Sequence, residues 1–450
     1  MRRTNKHQIN RVSFVGMTGG VNISQAPEQI ADTEMQKAQN FIYAMDSKRL
    51  KGRGGLGLLY TINETIRDMW YDVDTNVLLL FTKTYKAYRY IIGQTPIFVG
   101  KLTGSQPPTC AKFMDKIWIA SGGKLQYYDY TQNTELQTVS DAPTCSIVFQ
   151  RFSRIAVSQD GTNGFYLSSV GDGTEWAEDT NRADKEQWLD VGYGDSGTIT
   201  AIVPLATDII FIKSNGKIYQ LSGDADPNDW QVTEIANGTD PAGTNCAVNI
   251  GNSVVFLSIR GLKSLAAVME YGNIATADIG DKFNGLITDS MYEPRFYHLQ
   301  RHSLLLIRPT TDYSYFVAYN YQLGSATTLK FNMDIDAICE TSDDILVSSK
   351  NKIYQWDDRY TDDDGKKIEY ILQPKATMST EQMLMKAIDT KFSSDYSGKA
   401  TVQEGTLNVS VPTDTRNKIK CNHSTAYMDI KIISNDRFIV DHIMVEVADL

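Results

Sequence analysis

The feature that most constrains this chain is an internal echo. DIIFIKSNGKIYQ, beginning at Asp208, aligns without a gap on DDILVSSKNKIYQ, beginning at Asp343, sharing an aspartate, an isoleucine, a serine and the run Lys-Ile-Tyr-Gln. The two phrases start 135 residues apart, which is three steps of 45. Each reads as an apolar strand, a tight polar turn (SNG or SKN) and a second strand with Tyr at an alternate position, the pattern of a hairpin. Looser versions are NVLLLFTK from Asn76, DKIWIASGGKLQYYDY from Asp115, SRIAVSQDGTNGFYLSS from Ser153, NSVVFLSIRGLKSLAAV from Asn252 and HSLLLIRPTTDYSYFVAYNY from His302. Successive spacings of the seven phrases are 39, 38, 55, 44, 50 and 41 residues. Most follow another short alternating segment, such as TITAIVPLA before Asp208, so a unit is a meander of three or four strands. Units of that kind at a period of about 40 to 50 residues are propeller blades. The expectation is an all-β chain with a six- or seven-bladed β-propeller over residues 56–375; the alternative is an irregular β-sandwich rich in hairpins.

Two pieces lie outside the repeat. Residues 1–55 read as an N-terminal arm: polar, turn-rich GMTGGVNISQAP is followed by a segment in which Ile30, Met35, Ala38 and Ile42 fall near helical spacing, predicting one short helix. Residues 376–450 drop the blade phrase, and VQEGTLNVSVP, AYMDIKIIS and FIVDHIMVEVADL form the alternating strands of a small C-terminal β-module.

Composition narrows the functional classes. At 450 residues the chain has room for about three domains, or one large repetitive β-domain with additions. A formal charge of −10 and a pI of about 5.1 oppose tight DNA binding through phosphate neutralisation, while leaving brief contact open. The five cysteines are odd in number, widely spaced and without a CxxC pair, so they read as reduced, mostly buried thiols made in a cytoplasm. The start MRRTNKHQINRVSFVG lacks the apolar core of a signal peptide, and no apolar run reaches membrane-span length. A soluble protein with no membrane insertion is expected.

Candidate chemistry is sparse. His298 and His302 stand four apart, the spacing of a helical metal pair, but FYHLQRHSLLLI reads as two strands around a turn and no Glu sits between them. The acidic run Asp357, Asp358, Asp362, Asp363, Asp364 and Gly365 departs from the EF-hand spacing and reads as a solvated turn. SVGDGTEW and GDADPNDW place Asp172 and Asp226 four residues before Trp176 and Trp230. They resemble the Asp-box of sialidase propellers, shifted by one position, and that box is a structural hairpin clamp. GRGGLG near Gly52 lacks the Lys-Ser or Lys-Thr of a P-loop and reads as a turn, and no GxSxG elbow is present. The expectation is no enzyme, no cofactor and no catalytic, cofactor-binding or metal residues.

The stretch GGVNISQAPEQIADTEMQKAQNFIYAMDSKRLKGRGGL resembles an opening shared by tailed-phage structural proteins, at Gly19, Gly20, Asn22, Pro27, Ile30, Asp32, Glu34, Asn40, Arg53 and Gly55. FYLSSVGDGTEW is similar to their Ser-x-x-Gly-Asp-Pro-Thr-x-Trp turn, with Gly173 in place of the proline, and CAVNIGNSVVFLSIRGLKSL to one of their blades. The family is the tail hub and nozzle proteins of short-tailed (podovirus-type) phages, also called packaged-DNA stabilisation proteins, and the likeness covers residues 13–300. It implies a propeller protein of the virion tail, repeated in a ring, commonly a homohexamer, below the portal and its head-to-tail adaptor. Such a ring retains packaged DNA, conducts it during ejection and carries tail fibre or spike proteins, touching genomic dsDNA only transiently. An acidic bore suits this, since it repels DNA and lets it slide. Two other readings stand beside it: a propeller adhesin or carbohydrate-binding receptor protein using exposed Tyr and Trp, and a propeller glycosidase with paired carboxylates in the central cavity.

Overall fold

All seven phrases become second strands of separate antiparallel meanders. In a computed structural model, which describes residues 9–14, 16–132, 135–177, 182–251, 253–268, 273–289 and 291–449, these strands are Val77–Thr82, Lys116–Ala120, Arg154–Gln159, Asp208–Lys213, Ser253–Ser258, Leu304–Arg308 and Ile345–Ser349. Asn252, where the fifth phrase begins, lies outside the described residues. The seven blades span residues 66–101, 109–138, 144–190, 199–236, 247–278, 295–330 and 337–357.

These second strands are apolar on both faces because each blade is packed between two others. In blade 1, Leu78 and Leu80 face a core shared with blades 6 and 7, whereas Val77, Leu79 and Phe81 face blade 2. Ile117 and Ile119 of blade 2 meet them, and Trp118 and Ala120 turn to blade 3. The alternation continues through Ala156 and Phe211 between blades 3 and 4, Ile210 and Phe256 between 4 and 5, and Leu257 and Leu305 between 5 and 6. Leu306, Leu346 and Leu80 then close the circle. The chain is a β-propeller.

Blade 7 supplies only three strands from its own stretch of chain. Its fourth is Gly55–Thr61, which precedes blade 1 and pairs antiparallel with Lys352–Asp357, from Gly55↔Asp357 to Thr61↔Lys352. The ring is thus latched by joining the two ends of the repeat.

Residues 9–52 are not a free arm. Ile9–Phe14 pairs antiparallel with Ile439–Asp449, and Phe41–Tyr43 with Leu50–Gly52 extends the same six-stranded sheet, which also contains Thr377–Ser393 and Arg416–Met428. Glu34–Gln39 pairs with Tyr370–Pro374 and, through Gln39↔Thr328, with the outer strand of blade 6. That sheet continues through Lys431–Ser434 to Lys399–Glu404 and Leu407–Pro412, so blade 6 runs unbroken into the C-terminal module. The two sheets enclose one core containing Phe14, Met35, Phe41, Tyr370, Phe392, Ile432 and Phe438. Phe392 and Phe438 stand edge to face at 4.9 Å and Phe41 and Phe438 at 5.4 Å, an arrangement that adds to their area burial.

The short helix expected around residues 30–42 is replaced by the strands Glu34–Gln39 and Phe41–Tyr43. The reason is a bulge: pairing with Tyr370–Pro374 slips between Met35 and Lys37. One extra residue there brings Met35 and Ala38, three apart, to the same buried face. A bulged strand therefore carries helical spacing.

Candidate functional site

Polar groups gather at two places, the propeller axis and the junction between the propeller and the second module. Around the axis, first strands of five blades line a cavity of about 870 Å³ that holds Asp68, Cys110, Arg295, Cys339 and Glu340. A second cavity of about 540 Å³ shares Asp68, Thr109 and Arg295 with it. Both are of small-molecule size. Asp68 pairs with Arg295 at 3.3 Å, and burial pushes its carboxyl above the usual range although Arg295 opposes this. Burial alone would raise Glu340 as well, but His302 at 2.9 Å, the Arg301 amide and the Arg301 guanidinium bring it below that range. Each of these carboxylates is thus held by a cation. Burial pushes the Cys339 thiol up to about 12 and Cys110 well above its ordinary value, so both stay protonated and poorly nucleophilic at neutral pH.

The histidine pair is split by the fold. His298 lies in the strand Arg295–Leu299 with Nε2 3.2 Å from the Tyr321 hydroxyl, and His302 ends the 3-10 turn Gln300–His302 against Glu340. Of the other histidines, His423 meets Glu404 at 2.6 Å and His442 meets Asp389 at 3.6 Å; His7 lies outside the described residues.

Contrary to a solvated turn, the acidic run forms half of the junction. Asp363 is fully buried and takes a two-pronged hydrogen bond from Arg53, Nη1 to Oδ1 at 2.8 Å and Nη2 to Oδ2 at 2.6 Å. Arg53, also fully buried, gives its remaining donors to Asn40 Oδ1 at 3.0 Å and to the carbonyls of Gly54 and Lys330, and lies 4.2 Å above the Phe331 ring. Asp363 Oδ2 also accepts from the backbone and side chain of Asn332. Asp358 binds Lys51 and Arg437, Asp364 binds Lys352 and Tyr354, and Asp357 binds Arg359. GRGGLG is likewise no turn. A Cβ on Gly54 would lie 2.3 Å from the Asp357 carbonyl oxygen and one on Gly55 2.1 Å from that of Asp362, so the glycines allow two backbones to touch.

The other positions of the phage-tail resemblance fall in the second module, and Glu34 and Gly20 among them meet the propeller. Asn22 donates to Glu34 at 2.7 Å, and Glu34 also accepts the Ala31 amide and binds Lys282 of the propeller. Burial would raise the Glu34 carboxyl, and these partners together hold it below the usual range. Gly20, at φ +77, sits where a Cβ would come 2.7 Å from the Ala326 nitrogen of blade 6. Asp32 binds Lys375, the Pro27 carbonyl accepts from Ala376, and Ile30 is in the core.

Both tryptophan turns are clamps. Asp172 accepts from Thr174, and the Trp176 indole donates to the Gly173 carbonyl at 2.8 Å while its ring fills the core between blades 2 and 3. A Cβ on Gly173 would lie 2.3 Å from the Trp118 ring, so Trp118 occupies the room that a proline would need. Asp226 caps Asn228, and the Trp230 indole donates to the Asp224 carbonyl with its ring stacked on Phe152.

Sequence reasoning gave no position to the exposed aromatics. Register places Tyr166 opposite Trp188 at the outer edge of blade 3, with rings 6.2 Å apart and nearly parallel; Trp188 is 53% exposed. Gln159, Asn163 and Asp190 share their shallow cleft of about 390 Å³. The pair is formed by residues 22 apart in sequence, so only strand order reveals it.

No family model matches the chain, and no curated protein matches it. Solved structures do. The extracellular domain of a protein described as a one-component system from B. thetaiotaomicron superposes with a TM-score of 0.51 at 11% identity, over 91% of this chain and 62% of that one. This chain therefore spans less than two thirds of that structure. The β-propeller domain of Myceliophteria thermophila Cps50 (Swd1) gives a TM-score of 0.48 at 11% identity, over 67% of this chain and 99% of that one. At these identities the likeness concerns fold alone.

Proposed function

We propose that the chain is a non-enzymatic structural subunit of a phage tail, a hub or nozzle protein that forms a ring with copies of itself. What carries this reading is that Gly20, Glu34, Asn40, Arg53 and Gly55 of the phage-tail resemblance stand where the second module meets the propeller. On this reading they fix the two modules as one wall piece. The net charge of −10 supports a DNA path that does not adhere. Cavities of about 870 and 540 Å³ on the propeller axis are far too small for a duplex, so this reading needs a path between subunits. In this role the ring sits in the virion tail below portal and adaptor, retains packaged DNA, conducts it during ejection and carries fibre or spike proteins. Negative-stain electron microscopy of the purified chain, alone and with the adaptor ring, tests it. Rotationally symmetric rings with a central channel are expected; single discs under both conditions overturn the reading.

A second reading, a carbohydrate-binding propeller, is favoured by the Tyr166–Trp188 pair. A sugar's C–H face stacks on such rings while Gln159, Asn163 and Asp190 meet its hydroxyls. A glycan array probed with the full chain and with Trp188→Ala tests it: signal lost in the variant supports it, and silence across the array removes it.

A further inference from the structure

A second group of charges lies beside the axis and belongs to neither reading. Arg67, Lys83 and Tyr85 of blade 1, Arg295, Arg308 and Tyr313 of blade 6, and Asp336 line a cavity of about 300 Å³ that shares Arg67, Glu293 and Arg295 with the second axial cavity. Pairing within it leaves cations over. Lys83 is matched by Asp336 at 2.9 Å and Arg295 by Asp68 at 3.3 Å. Arg308 is only 4% exposed, yet it has no ion pair among the described residues. Its Nη1 donates to the Ile335 carbonyl at 3.2 Å, its Nε has no hydrogen-bond partner among those residues, and the Tyr313 ring lies 4.1 Å beneath it. Arg67 donates to the Ser105 carbonyl at 2.6 Å and also lacks an ion pair among the described residues; the field of Asp68 reaches it, but that carboxylate is engaged by Arg295. Burial and the neighbouring Arg295 hold the Arg67 guanidinium below its ordinary range. Glu293, the one further acid on the cavity wall, is exposed and makes no ion pair among the described residues.

A guanidinium removed from water without a counter-ion is costly, and two facing one cavity repel each other. With Lys83 paired to Asp336 and Arg295 to Asp68, Arg67 and Arg308 face the single exposed Glu293, and that excess of positive charge leaves room for an anion to arrive from outside. From this we infer that the cavity is a binding site for a small oxoanion, a phosphate or a carboxylate, gripped between Arg67 and Arg308. The planar donor forks of two arginines match the oxygens of such groups, and Tyr313 holds the Arg308 plane in position. The site stands independently of the tail reading.

Isothermal titration of the full chain at low ionic strength with inorganic phosphate and, separately, succinate tests the proposal, beside thermal unfolding of wild type, Arg308→Met and Arg308→Lys. Expected are saturable binding of at least one anion and a rise in wild-type Tm with its concentration. Arg308→Met should weaken binding at least tenfold and, having lost an unpaired buried charge, should melt no lower than wild type without anion. Arg308→Lys keeps the charge but not the fork and should weaken binding about fivefold or more. Saturation by phosphate alone or succinate alone identifies which oxoanion the cavity takes. The proposal is overturned if neither anion binds at 20-fold molar excess up to about 20 mM, a range generous for a two-arginine grip. Binding that is unchanged in Arg308→Met overturns it as well.

Discussion

Asp363→Asn is the sharpest perturbation available at the junction. It removes the negative charge that faces Arg53 while keeping the shape of the side chain and an oxygen for Asn332. Arg53 then keeps Asn40, Gly54 and Lys330 as acceptors but has no counter-ion, and neither side chain has any exposure through which water could compensate. Breaking one side of a buried pair in this way costs about 3–5 kcal/mol. A 450-residue chain unfolding as one unit has an unfolding entropy of about 0.95 kcal/mol/K at ~2.1 cal/mol/K per residue, so Tm should fall by ~3–5 °C. Arg53→Met should cost a similar amount by stranding Asp363. The double variant should be less damaged than the sum, with a coupling of about 2 kcal/mol in the cycle. Differential scanning calorimetry of the four proteins provides the test. A drop under ~1 °C for Asp363→Asn, or strict additivity in the double variant, would refute the claim that this ion pair ties the modules together.

Stability should also report on the ion pairs through pH. Lys86, Thr84 and Tyr88 bring Glu64 down to about 2, Arg416 lowers Asp389, and Lys418 lowers Glu446. Groups with depressed folded-state values stabilise above their unfolded values and lose that contribution as pH falls, so Tm should hold down to about pH 5 and decline from 4.5 towards 2; Asp68, whose value is raised, works in the opposite direction. A thermal scan with a flat profile across that window would contradict these pairings. Gly54→Ala should cost about 1–3 kcal/mol by forcing apart the backbones at blade 7, read as faster proteolysis within residues 55–61. Cys145, Cys246 and Cys339, with thiols pushed up to about 12 by burial, should resist a thiol reagent at pH 8 until denaturant is added; rapid native labelling at any of the three would refute this. Removing residues 1–55 should melt the second module, since Asp363 and the strand Ile439–Asp449 lose their partners; an unchanged unfolding profile would refute the shared core.

The propeller was legible because its signal is local. An apolar strand buried on both faces, a polar turn and a partner strand all fall within about 15 residues, and the phrase repeats at each blade. The junction was hidden for the opposite reason. Asp363 reads as surface in DDRYTDDDGKK, because the arginine that buries it lies 310 positions earlier. Glu34–Gln39, EMQKAQ, is rich in helix formers, yet two flanking strands hold it extended, and sheet pairing overrides such preferences. Trp188 has no local mark that distinguishes a stacked aromatic from a core residue.

The latch has a consequence for the order in which the protein can be made. Among the described residues up to 61, strands find their long-range partners beyond residue 280, and Ile9–Phe14 waits for Ile439–Asp449. At ordinary rates of translation that interval is on the order of 20 to 90 s. During it, blades 1 to 5 can condense on one another while Met35, Phe41 and Leu56 still lack most of their cover. A newborn chain therefore carries this adhesive segment unpaired with its distant partners until the strand Ile439–Asp449 has been made.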